Sequence, residues 1–547
     1  MTGKMTMEHE EHLEDESELV AARRAKLAWM REELGVEPYG SRVDGIIPLR
    51  EARARFDESA HQAHVDSVSA RREDEGVELV DDRPRVLVAG RIVQHRDVGK
   101  LVFMVVRDHS DDLQLSVSKA ALPAESFKLA KKVDYGDIVV AEGRMGKTQR
   151  GEVCLWVDRF EIHVKSLAPP PGKHHGLSDP EIRYRRRYVD MYANPETIKV
   201  FKARSRIVSR IRSFMDARDY LEVETPMMQP MAGGAAARPF STHLNALDIP
   251  LFMRIAPELY LKRLLVGGLP RVYEINRNFR NEGIDRSHNP EFTAMEVYEA
   301  FGDYHTIMEL TESLIHELAK ARRAELLEEG ADGPFGTEEA PQLPFGDLVV
   351  DYGRPFDTVG YFELFERALG FPASDLDQVR EKAREMGCED VDRLDETLLV
   401  NEVFEEFAEP TIDPARPTFV LDWPSAISPL TRPHRDRPEL AERVDLFIGG
   451  MEIGPAYTEL NDPDLQLGKF TEQIAGLDDE ESTFRSLDTD FIDALRVGMP
   501  PAGGLGLGID RIVILLTDSP SIRDVILFPL MRPVDGDASD DDPGAEA

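Results

Sequence analysis

The chain has 547 residues, 41% of them apolar and 31% charged, with a formal net charge of −37. That leaves room for two to four domains and excludes collagen-like, fully disordered and membrane-spanning classes. No apolar run approaches a bilayer span and no signal peptide opens the chain, while two cysteines without metal spacing, Cys154 and Cys388, point to a reducing cytoplasm.

The first twenty residues carry Glu8, Glu10, Glu11, Glu14, Asp15, Glu16 and Glu18 against Lys4, and 534–547 hold six acids and no base. Both ends read as acidic, disordered arms. So acidic a chain argues against a nucleic-acid partner unless a local basic patch supplies the contact. Glu18–Leu34 is expected to be an amphipathic helix, with Val20, Leu27, Met30 and Leu34 on one face and Arg23, Arg24, Lys26 and Arg31 around the other. An ordinary surface helix is the favoured reading over a phosphate-contacting one.

From about Arg83 the pattern turns to short alternating strands: Arg85–Ile92, Leu101–Arg107, Leu113–Val117, Asp137–Gly143 and Glu152–His163. Five strands, with a helical stretch before the fourth, suggest a small barrel of the OB type. The proline run after Ala168 reads as a stiff linker. Ile198–Arg218 is expected to be a helix, followed by a strand over Leu221–Thr225 that ends at Pro226. The remainder mixes strands and helices without βαβ regularity, an α+β pattern. The glycine run 503–508 leads into an apolar helix with no parallel-sheet pattern around it, so a dinucleotide loop is not expected. Segments 321–345 and 374–397 are polar and helix-prone and read as insertions.

The chemistry concentrates in 271–301. An apolar strand delivers Arg280, Asn281 and Glu282 into a loop carrying Arg286, His288 and Asn289, and a second strand returns through Phe292, Ala294, Glu296 and Tyr298 on one face. A carboxylate sharing a strand face with aromatics is costly unless a cation pairs with it. Glu258 lies amid apolar neighbours, and Asp445 and Glu452 sit in a hydrophobic strand pair, an arrangement suited to Mg²⁺ bridging phosphates.

Together these features resemble a class II aminoacyl-tRNA synthetase, more closely the lysyl branch. Tyr220–Pro226 is similar to that family's motif 1, Phe279-Arg-Asn-Glu-Gly with His288–Phe292 to motif 2, and Gly506–Arg511 to motif 3. Lysine-type signatures are GGAAARPF (233–240), RIAPELYLKRL (254–264), HNPEFTAMEVY (288–298) and YTELND (457–462). The resemblance implies an α+β chain. An acidic arm (1–17) and a helical extension (18–82) would precede an OB-fold anticodon-binding barrel (83–167) and a linker (168–180). A catalytic domain of antiparallel sheet flanked by helices (181–533), with a helical insertion around 374–400, would precede an acidic tail (534–547).

It implies an ATP-dependent, cytoplasmic lysine–tRNA ligase, a homodimer with lysine, ATP and tRNA(Lys) as partners and no membrane. Arg280 would bridge the lysine carboxylate and the ATP α-phosphate. Glu282, His288 and Asn289 would hold the nucleotide, and adenine would stack between Phe292 and Arg511. Gly234 and Glu258 would receive the α-ammonium, Glu296, Tyr298, Tyr457 and Glu459 the ε-ammonium, and Asp445 and Glu452 Mg²⁺. Phe103, Gln114 and Glu152 match the positions that read anticodon bases. Two departures stand out: Asp445 where the family more often has Glu, and Pro455 where it places an Asn that helps hold the lysine carboxylate. Proline has neither that amide nor a backbone N–H, so a raised lysine KM with retained activity is expected.

Glu296 and Glu459 argue against an aspartyl or asparaginyl relative, and the barrel against a paralogue that lysylates an elongation factor. Arg280, Glu282, Glu452 and Arg511 argue against a catalytically dead tRNA-binding protein.

Overall fold

A computed structural model describes residues 18–169, 177–235, 237–388, 391, 394–475 and 488–533. Both acidic arms and most of the expected linker lie outside the described residues. The chain forms two compact units, divided after Ile198.

In the first unit, β1 (Arg85–Asp97), β2 (Leu101–Arg107), β3 (Asp112–Ser118), β4 (Ile138–Lys147) and β5 (Val153–Val164) close a barrel in the order β1-β2-β3-β5-β4. Alternate residues point inward, so Val86, Val88, Val102, Met104, Leu113, Leu115 and Val157 fill it. The strand β1 runs past Ile92 because a bulge there re-aims its polar end, which still pairs with β2 as far as Asp97. The helix Ala124–Lys132 packs Phe127, Leu129 and Ala130 into the same core.

The N-terminal helix spans 18–32 and buries Met30 in the barrel core. Its basic face is only partly solvated. Arg23 is buried and donates to the carbonyls of Ser166 (2.9 Å) and Tyr135 (3.0 Å), and Lys26 pairs with Asp134. Two of its four cations thus fasten the helix to the barrel and a third, Arg31, pairs with Glu37, so little of its charge is left to attract phosphate.

The second unit is built on an eight-stranded sheet. Its strands are β6 (Leu221–Glu222), β10 (Arg271–Phe279), β11 (Glu291–Ala300), β14 (Asp357–Gly360), β15 (Thr418–Leu421), β16 (Arg443–Ile448), β17 (Met451–Thr458) and β18 (Ala502–Gly508), in the order β14-β15-β16-β17-β18-β11-β10-β6. The interior is antiparallel, and the outermost pair at each edge, β14–β15 and β10–β6, is parallel. Small sheets β7–β9–β8 (Met228–Gln229, Ile249–Met253, Ser241–Leu244) and β12–β13 (Gln342–Phe345, Leu348–Asp351) flank it.

One face of the sheet carries the main core. There Met295, Val297, Leu446, Leu505 and Leu507 meet the helix Tyr304–Glu328 and the helix Ile509–Leu516. The polar segment that begins at residue 321 is therefore the end of a core helix, with Leu318, Ala319 and Arg322 buried, and then a hairpin. Between Ser374 and Thr397 the chain does form helices, Leu376–Glu385 and the start of Glu396–Val403, around their own small core. The expected motif 1 strand is in ladder only at Leu221–Glu222.

Candidate active site

The opposite face of the sheet is where the polar residues gather. The register of β10 and β11 sets Glu274 opposite Glu296 and Val272 opposite Tyr298. On the other side of β11, β18 sets Gly506 opposite Glu296 and Gly504 opposite Tyr298, and β17 sets Tyr457 opposite Gly504. Cross-strand partners share a face, so the glycines form the floor of a pocket walled by Glu296, Tyr298 and Tyr457. A Cβ at Gly504 would collide with Glu459 Oε1 and lie 2.8 Å from the Tyr298 ring. The glycine run expected not to bind a dinucleotide is thus a strand whose missing side chains open this pocket.

Glu258 enters from the first turn of the helix Glu258–Val266, over Gly234, whose positive φ (+86°) and close approach to Glu258 Cβ (3.1 Å from a built Cβ) suit only glycine. One turn on, Lys262 is fully buried, donates to Glu258 Oε1 at 2.6 Å and pairs with Glu459. Glu459 is 1% exposed and neither of its oxygens accepts a well-aligned hydrogen bond. Burial pushes its carboxyl up to about 7, with Lys262 opposing and Glu258 adding. Glu296 accepts from the Tyr298 hydroxyl at 3.2 Å; burial and then the Glu258 charge push it up to about 8. Three carboxylates held this way form a pocket for positive charge.

Arg280 stands at the end of β10, where its N–H donates to the Pro290 carbonyl at 2.9 Å and closes the loop. Its Cζ lies 5.2 Å from the Phe292 ring centroid, and its buried Nε has no hydrogen-bond partner. Asn289 donates to the Glu291 carbonyl at 2.6 Å and leaves its buried Oδ1 unpaired. Arg511, in the first turn of its helix, donates to the Glu452 carbonyl at 2.5 Å and lies 3.1 Å from His288 Nε2. The other nitrogen of His288 is 2.7 Å from Asp285. Against the penalty of burial, His288 and the N–H groups of Ser287 and His288 hold Asp285 down at about 2. Glu282 is exposed on the loop, with no contact tying it to these groups.

At the far side, Asp445 is fully buried and receives both arms of Arg443, 2.9 and 2.6 Å away. Burial nevertheless raises its carboxyl to about 6. Glu452 faces the same corner, and so do Glu405 on the short π-helix Phe404–Ala408 and Glu409. Burial and then Glu452, Glu405 and Asp445 push Glu409 up to about 7. Among the described residues no group of three side chains converges as a closed metal cage. Mutually repelling hard oxygen donors still fit Mg²⁺, which keeps several waters and takes one or two carboxylates together with phosphate oxygens. Opposite Asp445 lies Pro455, where the β17–β18 ladder stops: it runs from Ala456 to Thr458, and Pro455 has no N–H to extend it.

Sequence reading missed Lys262, Arg443, Glu405, Glu409 and Asp285. A Glu–Lys pair four apart on a helix is a signal for Lys262, and Asp285 three before His288 and Arg443 two before Asp445 are local pairs as well; Glu405 and Glu409 are brought in by tertiary packing. In the barrel, Phe103 pairs with Ser116 and Gln114 with Val105, so Phe103 and Gln114 share the outer face of β2 and β3, and Glu152 is exposed just before β5.

Residues 179–532 match the model of tRNA synthetases class II (D, K and N), and residues 86–169 that of the OB-fold nucleic acid binding domain. The chain is 44% identical to the lysine–tRNA ligase of Carboxydothermus hydrogenoformans, covering 97% of this chain and all of the relative. It is 46% identical to that of Pelotomaculum thermopropionicum (95% and 96% covered) and 41% identical to that of Ectopseudomonas mendocina (96% and 98%).

Proposed function

The chain belongs to the class II tRNA synthetases of the D, K and N group, and from that membership we propose how its site works as that of a lysine–tRNA ligase. The observation that carries the reading is the set of three buried carboxylates, Glu258, Glu296 and Glu459, beside Arg280. An acidic side chain is repelled from it, and a neutral one brings no ε-ammonium to the buried Glu296 and Glu459, a loss that can reach ~10⁴–10⁵ in discrimination.

In the proposed arrangement Glu258 and the Gly234 backbone take the α-ammonium of lysine. Glu459, Glu296, Tyr298 and Tyr457 surround the ε-ammonium. Arg280 bridges the lysine carboxylate and the α-phosphate of ATP, a planar fork suited to two oxyanions. Glu282, His288 and Asn289 hold the nucleotide, with adenine between Phe292 and Arg511. Asp445 and Glu452 are the residues for Mg²⁺, which supplies charge neutralisation to the phosphates. A lysine carboxylate oxygen attacks the α-phosphorus, the bond to the bridging oxygen breaks and pyrophosphate leaves. The terminal 3′-hydroxyl of the tRNA then attacks the activated carbonyl, loses its proton and releases AMP. No protein nucleophile is needed; positioning and charge do the work.

The barrel is proposed to read the anticodon of tRNA(Lys) with Phe103, Gln114 and Glu152. One base stacked on an aromatic is worth ~1–3 kcal/mol, so Phe103→Ala should lower kcat/KM for tRNA charging by about 10- to 100-fold in an aminoacylation assay. A homodimer is proposed through the motif 1 region, where Leu221, Met228 and Leu247 are more than half exposed on β6 and beside β9. The cytoplasm is the proposed location: both cysteines are free, and no helix among the described residues is long and apolar enough to cross a membrane. Pro455 is proposed to weaken lysine binding by lacking an amide. Pro455→Asn should lower the lysine KM by about 5-fold, one hydrogen bond's worth, and an unchanged KM would show the position is not limiting.

The reading is tested by ATP–pyrophosphate exchange without tRNA, comparing lysine with arginine, aspartate and asparagine. Exchange with lysine alone supports it; exchange with none, in folded protein, overturns it.

A further inference from the structure

Buried lysines are rare unless paired, and Lys262 is fully buried behind two of the carboxylates of a pocket proposed for another lysine. It joins two walls that come from distant parts of the chain. Its ammonium donates to Glu258 at 2.6 Å on its own helix and pairs with Glu459 beyond β17, 6.0 Å from the centre of the Tyr298 ring. The other buried cation near by, Arg254, is already matched by Glu274 at 2.7 Å and falls outside the count.

In the lysine-bound pocket, with its carboxylates ionised, three negative charges meet the two ammonium groups of the substrate; its own carboxylate goes to Arg280. One negative charge is left over. Lys262 cancels it. We infer that Lys262 is a specificity-determining positioning residue: its fixed charge matches the three-carboxylate pocket to a substrate with two ammonium groups, and its bridge holds the α-ammonium acceptor Glu258 at a set distance from the ε-ammonium acceptor Glu459.

The geometry separates this role from ordinary bracing. An apolar residue would fill the same space, since Leu259, Leu261 and Leu265 already pack the rest of this helix. What it would not supply is charge. Without Lys262, Glu258 and Glu459 lose the cation they pair with, and Glu459, which Lys262 holds toward its charged form against burial, takes up a proton more readily in a dry site. A protonated acceptor no longer attracts an ammonium. The nucleotide side, built from Arg280, Asn289 and Arg511, makes no contact with Lys262, so its affinity for ATP is expected to stand apart from the change.

The inference rests on the lysine-pocket reading, and the full-length protein tests the two separately. Wild-type exchange with lysine tests the reading; Lys262→Met tests the inference against that wild type. Lys262→Met keeps length and loses charge. The lysine KM is expected to rise about 10-fold or more, with the ATP KM within about 2-fold. Lys262→Gln keeps hydrogen-bond donors without the charge, so it should show the same split; a brace that needed only hydrogen bonds would leave the glutamine variant at the wild-type lysine KM. A lysine KM within about 3-fold of wild type in either folded variant, or lysine and ATP KM rising together, would overturn the inference. So would failure of both neutral variants to fold, which would make Lys262 a structural brace.

Discussion

Arg280→Ala is expected to lower kcat for lysine-dependent ATP–pyrophosphate exchange by about 10³-fold. Negative charge builds on the α-phosphate oxygens as lysine attacks, and a preorganised donor aimed at such charge is worth ~10²–10³ in kcat; a guanidinium that also orients the attacking carboxylate adds to that. The site prepares Arg280 for this. Its backbone is tied to Pro290, its ring neighbour is Phe292, and its Nε is buried with a free donor. Arg280→Lys keeps the charge but not the fork and should recover only part of the loss. The measurement is steady-state exchange at saturating lysine and ATP, and a loss below 10-fold would remove Arg280 from the role assigned to it.

How much of this site the sequence revealed depends on where each partner comes from. Glu296 and Tyr298 were legible because two-residue alternation puts them on one face of a strand whose other face, through Met295 and Val297, must enter the core. Arg280 and His288 were legible as polar residues at a loop between two apolar strands. The barrel strands emerged from the same alternation, with ends displaced where a bulge, as at Ile92, lets a polar stretch keep pairing. What alternation does not encode is which distant segment fills the gap opposite. Arg443 reaches Asp445 because residues two apart on β16 share a face, yet its guanidinium is covered by Trp423 and Tyr457, 4.3 and 5.9 Å away. Glu405, on a π-helix, and Glu409, at the start of the 3-10 turn that follows it, come near Glu452 from a distant segment. Gly504 is a plain glycine in a strand until β17 and β11 place Tyr457 and Tyr298 on either side of it.

Glu459→Gln is expected to lower kcat/KM for lysine by about 10²–10³-fold, because an ammonium brought into a dry pocket without its carboxylate keeps its desolvation cost; breaking one member of such a pair costs ~3–5 kcal/mol. The wild-type pH profile carries the same information. Burial raises Glu459 to about 7 and Glu296 to about 8 in the free pocket, so both lean toward the neutral form near pH 6. Since kcat/KM reports the free enzyme, it should rise at least 10-fold from pH 6 to pH 8.5, and Glu459→Gln should remove the lower step. Stability moves the other way. The folded protein binds more protons at these groups than the unfolded chain does between about pH 4.5 and 8, so their contribution falls as pH rises through that window. Lysine, by pairing with the ionised forms, returns what is lost. Its stabilisation of the folded protein, read as a shift in Tm at saturating lysine, should therefore be larger at pH 8 than at pH 6. An equal shift at both would mean that the pocket meets its substrate already charged, and that the raised carboxyls play no part in binding.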